Sequence, residues 1–321
     1  MSVRAPGKVM IAGEYAVLFG APALVAAVTR YATAQVVAQD SQHAMASDRF
    51  PEARAALDLA VARGPLRAAP AVSIDVDALR SGGQKLGLGS SAAAAVASLG
   101  AALLAEGREL RAMQREIADI VRSAHRSVQG GGSGADVYAS ALGGLIAFRF
   151  SDAGESHDPV VQSVPWADGV PWCVLWTGQS VRTSDFVARV RDHARSHPND
   201  IAQYVDTVTD TTRALQQALG VGAAADAVQA VRRHGDAMRR LGDAVGLPIV
   251  TPSTVQLTAE IEPLGAAVKP SGAGGGDIVL LIGENRSTLD AARAVAERRG
   301  FVPVDLQLDL AGVHAVPPPS S

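Results

Sequence analysis

The chain has 321 residues, 48% of them hydrophobic and only 4% aromatic, and a net charge of −3. That length allows two domains with real cores, packed mainly from Ala, Val and Leu because rings are scarce. The weakly acidic balance gives no basis for nucleic acid or an anionic membrane surface as a partner, so any anion must be held by local cations and backbone N–H groups. The single cysteine, Cys173, sits in an apolar run at 172–176 and can form no intramolecular disulfide. No basic-then-apolar leader opens the sequence and no apolar run reaches ~18 residues, so a cytoplasmic protein without a membrane span is expected.

In chain order, the first strand is predicted at residues 9–11, directly after Arg4-Ala-Pro-Gly-Lys8. A lysine in a Pro-Gly turn is either solvated surface or aimed into a site. Residues 24–37 read as a strand, 40–70 as an Ala- and Arg-rich helix with polar flanks, and 72–76 as a strand. Lys85-Leu-Gly-Leu-Gly-Ser-Ser-Ala92 then runs into a helix over 92–106, whose Val96, Leu99 and Leu103 form a buried stripe. Ser90 or Ser91 is placed at the N-cap. A glycine loop feeding a helix N-terminus offers free N–H donors and the positive end of the dipole. The two serine hydroxyls could ligate a magnesium ion riding on phosphates. The loop is neither a Walker A motif nor a dinucleotide fingerprint, whose third glycine is Ala92 here, and an ordinary capped helix is the plain alternative.

A helix over 108–128 places Leu110, Met113, Ile117, Val121, Ala124 and Val128 on one face. Gln129-Gly-Gly-Gly-Ser-Gly-Ala-Asp136 follows as a bend, with Asp136 either a turn residue or a carboxylate held against a substrate. A strand at 145–150 precedes a Pro-, Gly- and Ser-containing linker at 151–171, which divides the chain into domains 1–160 and 161–321. Next come a strand at 172–176 and helices at 184–196, 199–219, 223–245 and 253–264. Lys269-Pro-Ser-Gly-Ala-Gly-Gly-Gly-Asp277 is four-ninths glycine, so its N–H groups could converge into an anion nest, with Lys269 and Ser271 adding a cation and a hydroxyl. A flexible hairpin is the bland alternative. A strand at 278–282, a helix at 288–299 and a strand at 302–308 follow, and the tail at 315–321 is expected to be disordered. Strands mixed with helices, without strict alternation, predict an α+β fold.

Taken in order, Arg4–Leu18, Leu86–Ala94 and Lys269–Asp277 resemble the three motifs of the GHMP kinases, the superfamily of galactokinase, homoserine kinase, mevalonate kinase and phosphomevalonate kinase. Within it, Gly13-Glu14-Tyr15, the ending Gly-Gly-Gly-Asp277, Gly132-Ser133-Gly134-x-Asp136 and Trp176-Thr-Gly-Gln-Ser180 to Ser184 are similar to the phosphomevalonate kinase group. His125 occupies the position where mevalonate kinases commonly carry a metal-binding glutamate. The resemblance implies a ribosomal-protein-S5-like N-terminal domain, a ferredoxin-like C-terminal domain and a site between them. It implies ATP with Mg²⁺, and phosphorylation of 5-phosphomevalonate by a monomer or homodimer. Mevalonate kinase is the nearest alternative, diphosphomevalonate decarboxylases resemble the chain less in the third motif, and a catalytically inactive, ligand-sensing homologue is the remote one.

The roles implied follow the motifs. Leu86, Gly87, Leu88, Gly89, Ser90, Ser91 and Ala92 would cradle the nucleotide phosphates, with Ser90 and Ser91 holding the metal. Lys8 and Asp136 would be catalytic. Lys8, Tyr15, Ser133, Ser180, Arg182, Thr183, Ser184, Ser271, Gly272, Ala273 and Gly274 would face the acceptor. Lys269 is expected to support its loop rather than touch substrate, and Arg4 and Lys85 are weaker cation candidates.

Overall fold

The computed structural model describes residues 1–39, 49–151, 158–181 and 183–317. Its elements begin with β1 (Ser2–Ala12), a 3-10 turn (Ala16–Phe19), β2 (Ala23–Val36), α1 (Pro51–Arg63), β3 (Val72–Asp75) and a small hairpin of β4 (Arg80–Ser81) and β5 (Gln84–Lys85). Three helices follow, α2 (Ser90–Ala105), α3 (Leu110–Gln129) and α4 (Ala135–Leu142), then β6 (Leu145–Arg149), β7 (Val160–Val164) and β8 (Trp172–Trp176). The last part holds α5 (Thr183–Ser196), α6 (Pro198–Val221), α7 (Ala224–Val245), α8 (Pro252–Ile261), β9 (Ala266–Ser271), β10 (Ile278–Gly283), α9 (Arg286–Arg298), β11 (Val302–Val304) and β12 (His314–Val316).

One compact unit comprises Met1–Lys8, Ala26–Ile146 and the stretch from Gln307; the other comprises Val9–Val25 and Ala147–Leu306. The chain passes between them inside β1, β2 and β6, each of which starts in one unit and ends in the other. These strands belong to a sheet of order β12-β1-β2-β6-β7, with β3 paired to β2.

In the first unit α2 is the central helix. Every residue from Ala92 to Leu103 is buried, and α1, α3 and α4 pack against it. Alanine makes this possible: small side chains let three helices approach one that is apolar all round. On α3 the predicted stripe holds at Leu110, Ile117, Val121 and Ala124. Val128 departs from it, at 40% exposure, because the helix ends one residue later and its last turn has run past the packed face.

The second unit is built on the antiparallel sheet β11-β8-β10-β9. Both β9 and β10 are buried along their whole length, which is why β10 reads as an unbroken apolar run rather than an alternating one. Val268, Val279 and Leu281 pack with Leu257, Ile261, Leu289 and Ala292 of α8 and α9. Successive residues of a strand point to opposite faces, so Lys269 points away from Val268, towards α7, where Gly235 lies against its Cβ position.

Several expected boundaries move. The first strand extends back to Ser2, because it has an edge partner: β12 pairs antiparallel with it at Ser2↔Val316, Val3↔Ala315 and Arg4↔His314. Ala315 and Val316 are therefore in a strand rather than a disordered tail; residues 318–321 lie outside the described residues. The helix expected over 40–70 is confined to Pro51–Arg63, where proline starts it and Gly64 ends it in the left-handed conformation; residues 40–48 lie outside the described residues. The last long strand shortens to Val302–Val304. Among the described residues no helix is long and apolar enough to cross a membrane.

Candidate active site

In the first unit, three sequence clusters converge on the start of α2. Lys8 Nζ donates to Gly87 O at 3.0 Å, and the Lys8 backbone N–H donates to Leu88 O at 2.8 Å. The residue capping α2 is Gly89, in the left-handed conformation at φ 76°. The N-cap expected at Ser90 or Ser91 thus falls one residue earlier, and Ser90 opens the helix. The reason is space: a Cβ on Gly89 would lie 3.0 Å from Lys8 Cγ and 3.8 Å from Asp136 Cβ. Lys8, Gly89 and Asp136 therefore meet at one point, from three segments far apart in sequence. Leu86, Leu88 and Ala92 are buried.

Asp136 lies in the first turn of α4, which begins after Gly134 in the left-handed conformation. Its Oδ1 accepts from Val137 N at 3.0 Å. Ser133 Oγ accepts from Ala135 N at 3.3 Å and so helps start the same helix. Two further residues hold this region: Arg122, which sequence reasoning missed, and His125, which the family resemblance singles out by its position. Arg122 is buried, its stem fills the space beside Gly134, and its Nε donates to Ser133 O at 3.3 Å. His125 is buried on α3 with Nε2 3.4 Å from Ser91 Oγ. The helical period turns both inward, and it alone could have marked Arg122.

In the second unit the third glycine segment is not one loop. Lys269, Pro270 and Ser271 belong to β9, paired with Leu280, Val279 and Ile278 of β10. Lys269 is fully buried and ion-paired with Glu14, so it supports its segment, as expected, rather than serving as the cation of an anion nest. Ser271 Oγ accepts from Met10 N at 2.9 Å. Tyr15 is also buried; its hydroxyl donates to Ala273 O. Burial holds the Tyr15 phenol well above its ordinary range, so it stays protonated as that donor. Gly275 N donates to Ile249 O at 2.9 Å, and Asp277 N to Gln179 O at 2.7 Å. The segment from Gly272 to Asp277 is thus braced by the turn at Tyr15, by Ile249 and by the loop at Gln179. Ser180, Thr183 and Ser184 are exposed, the last donating to Asp185 Oδ1 at 3.2 Å; Arg182 lies outside the described residues.

Two family models match this chain, "GHMP kinases N terminal domain" over residues 55–144 and "GHMP kinases C terminal" over 223–301. A phosphomevalonate kinase of Streptomyces sp. strain CL190 is 31% identical, covering 97% of both chains. The chain is a GHMP kinase. A mevalonate kinase of Thermococcus sibiricus is 27% identical over 97% of this chain and 96% of its own length. Among solved structures, Streptococcus pneumoniae phosphomevalonate kinase in complex with phosphomevalonate and AMPPNP has a TM-score of 0.81 at 20% identity, covering 96% of this chain and 99% of that one. The expected α+β, two-domain GHMP kinase fold is thereby established.

The residues of this GHMP kinase fit a polyphosphate. Gly87 and Gly89 both have positive φ, 80° and 76°, and no side chain caps α2 at Gly89, so the helix opens with donors for an anion. Lys8 supplies the adjacent positive charge. The fit to magnesium is different in kind. Ser90, Ser91 and Asp136 offer hard oxygen atoms, and among the described residues no three His, Cys, Asp or Glu side chains cluster as a metal site. Such a set suits an ion held largely by phosphate oxygens and water.

Proposed function

We propose that this GHMP kinase transfers a phosphoryl group from ATP to the phosphate of 5-phosphomevalonate, giving 5-diphosphomevalonate. The observation that carries this is the meeting of Lys8, Gly89 and Asp136 at the uncapped start of α2. The choice of acceptor is supported by likeness to a phosphomevalonate kinase over 97% of both chains. ATP supplies the transferable group and Mg²⁺, held at Ser90 and Ser91, would neutralise its charge. The protein's own part is positioning and electrostatics. The α2 N-terminus and residues 87–92 hold phosphate oxygens through backbone N–H groups; the Leu86 N–H already donates to Leu79 O at 3.2 Å. Lys8, oriented by Gly87 O, places its ammonium where negative charge gathers.

An acceptor phosphate is already ionised near neutral pH, so Asp136 orients Lys8 and the acceptor rather than removing a proton. Ser133, Ser180, Arg182, Thr183, Ser184 and residues 271–274 form the acceptor side of the proposal, with Tyr15 acting through Ala273 O. The second reading, mevalonate as acceptor, is favoured by the similarity to the Thermococcus mevalonate kinase across 97% of this chain. ADP release with ATP and Mg²⁺, measured with each acceptor in turn, separates the two. Turnover with 5-phosphomevalonate alone is expected, and turnover with mevalonate alone overturns the proposed acceptor.

A further inference from the structure

The turn at Gly13–Tyr15 and strand β9 are tied together by charges that water does not reach. Glu14 is 1% exposed, and Lys269 and His234 are 0% exposed. Lys269 Nζ donates to Glu14 Oε1 and, at 2.8 Å, to Pro270 O. His234 Nε2 lies 2.9 Å from Glu14 Oε2, and the Tyr204 hydroxyl donates to Glu14 O at 2.8 Å. Burying an ion pair this deeply is a poor route to stability, since an apolar substitute of the same shape often does as well. What the cluster does hold is geometry. The residue next to Glu14, Tyr15, has φ 56°, a conformation that a bulky L residue adopts only when its surroundings impose it. From there its hydroxyl reaches Ala273 O, four residues beyond Lys269.

We propose that Glu14, Lys269 and His234 are positioning residues for the segment Gly272–Asp277, acting through Tyr15 on the Ala273 carbonyl and touching no substrate themselves. The link to catalysis rests on the proposed reading that this segment borders the acceptor; the positioning itself does not. Lys269 and Glu14 are anchored to each other, Pro270 O takes the second Lys269 proton, and the strained Tyr15 transmits the fixed distance to the glycine segment.

Hydrogen exchange on the full chain tests this, comparing the wild type with Tyr15→Phe, His234→Gln and the double variant Glu14→Gln/Lys269→Met. Tyr15→Phe keeps the packing and leaves no buried charge unpaired, so it remains informative if the others fail to fold. Exchange at Gly275 and Asp277 is expected to quicken roughly tenfold, the scale of one lost hydrogen bond, while Ile278–Ile282 keep the wild-type rate. In steady-state kinetics the acceptor KM rises by a similar factor and the ATP KM stays within about twofold. Unchanged exchange at Gly275 and Asp277 overturns the proposal. So does acceleration spread evenly over the sheet and α7, which would make the cluster merely structural, and so does a rise confined to the ATP KM. If the wild type phosphorylates neither acceptor, the kinase reading of the acceptor fails while the exchange result still decides the positioning.

Discussion

Lys8 is held by two bonds, its own N–H to Leu88 O and its ammonium to Gly87 O, so its charge is fixed rather than waving from a turn. Replacing it by Met keeps the stem and removes the charge; kcat is expected to fall by roughly 10²–10³, the usual loss when one preorganised electrostatic donor is removed. Steady-state ADP release checks this, with the unfolding midpoint as control. Asp136→Asn separates two roles. If the carboxylate only orients, the variant keeps turnover on 5-phosphomevalonate within about tenfold, whereas loss of a general base costs ~10²–10⁴. Abolished turnover in a folded, acceptor-binding Asp136→Asn protein would refute the orienting role. Gly89→Ala tests the shared space: the new methyl would meet the Lys8 stem at 3.0 Å in a left-handed backbone, and weaker ATP binding is expected with the acceptor KM little changed.

Among the elements, β9 shows most clearly where sequence reading stops. Lys269-Pro-Ser-Gly reads as loop, because proline and glycine punctuate it. Pairing with β10 makes its first three residues strand instead, and the alternation of that strand turns Lys269 inward. Its partner Glu14 is 255 residues away and His234 lies on α7, so only tertiary structure brings the charges together. By contrast, the glycine loop before α2 was legible, since free helix N–H groups and glycine φ freedom are local properties. Its capping residue was not, because the space taken by Lys8 decides it. The buried cluster has a pH signature. Desolvation pushes Glu14 up, but the Lys269 ammonium and His234 outweigh it and hold its carboxyl down at about 2. Burial lowers His234, against the opposing pull of Glu14. As pH falls through 6.5 the unfolded chain takes up this proton before the folded chain does, so stability falls as pH drops. Below about 4.5 the unfolded glutamate binds its proton first, and stability falls further as pH drops towards 2. Denaturant melts between pH 7 and 3 should show this slope, flattened in its upper part by His234→Gln. A slope identical in that variant would place its origin elsewhere.

At the scale of the whole molecule, the first strand is closed by the last. β12 covers the edge of β1 through three residue pairs, and His314 stacks edge-on against Tyr31 with ring centroids 5.8 Å apart. The stretch leading into β12 is pinned as well: Asp309 accepts from Tyr31 Oη at 2.8 Å and from Gly312 N at 2.8 Å, while Gln114 donates to Ala311 O at 2.7 Å. Val313 is buried against Gly100 of α2, close enough that a Cβ there would stand 2.9 Å from it. The contacts of Asp309, Gln114 and Gly100 anchor the chain up to Val313 without β12, so truncation just before His314 removes the edge strand together with the His314–Tyr31 contact and leaves these in place. A backbone bond contributes about 1 kcal/mol net, and losing two or three of them should lower the unfolding midpoint by roughly 4–10 °C. Hydrogen exchange should localise the loss: the amides of Ser2–Arg4 quicken, and those of Ile278–Gly283 in the other sheet hold their rate. An unshifted midpoint with unchanged exchange at Ser2–Arg4 would mean that β1 keeps its shape without an edge partner.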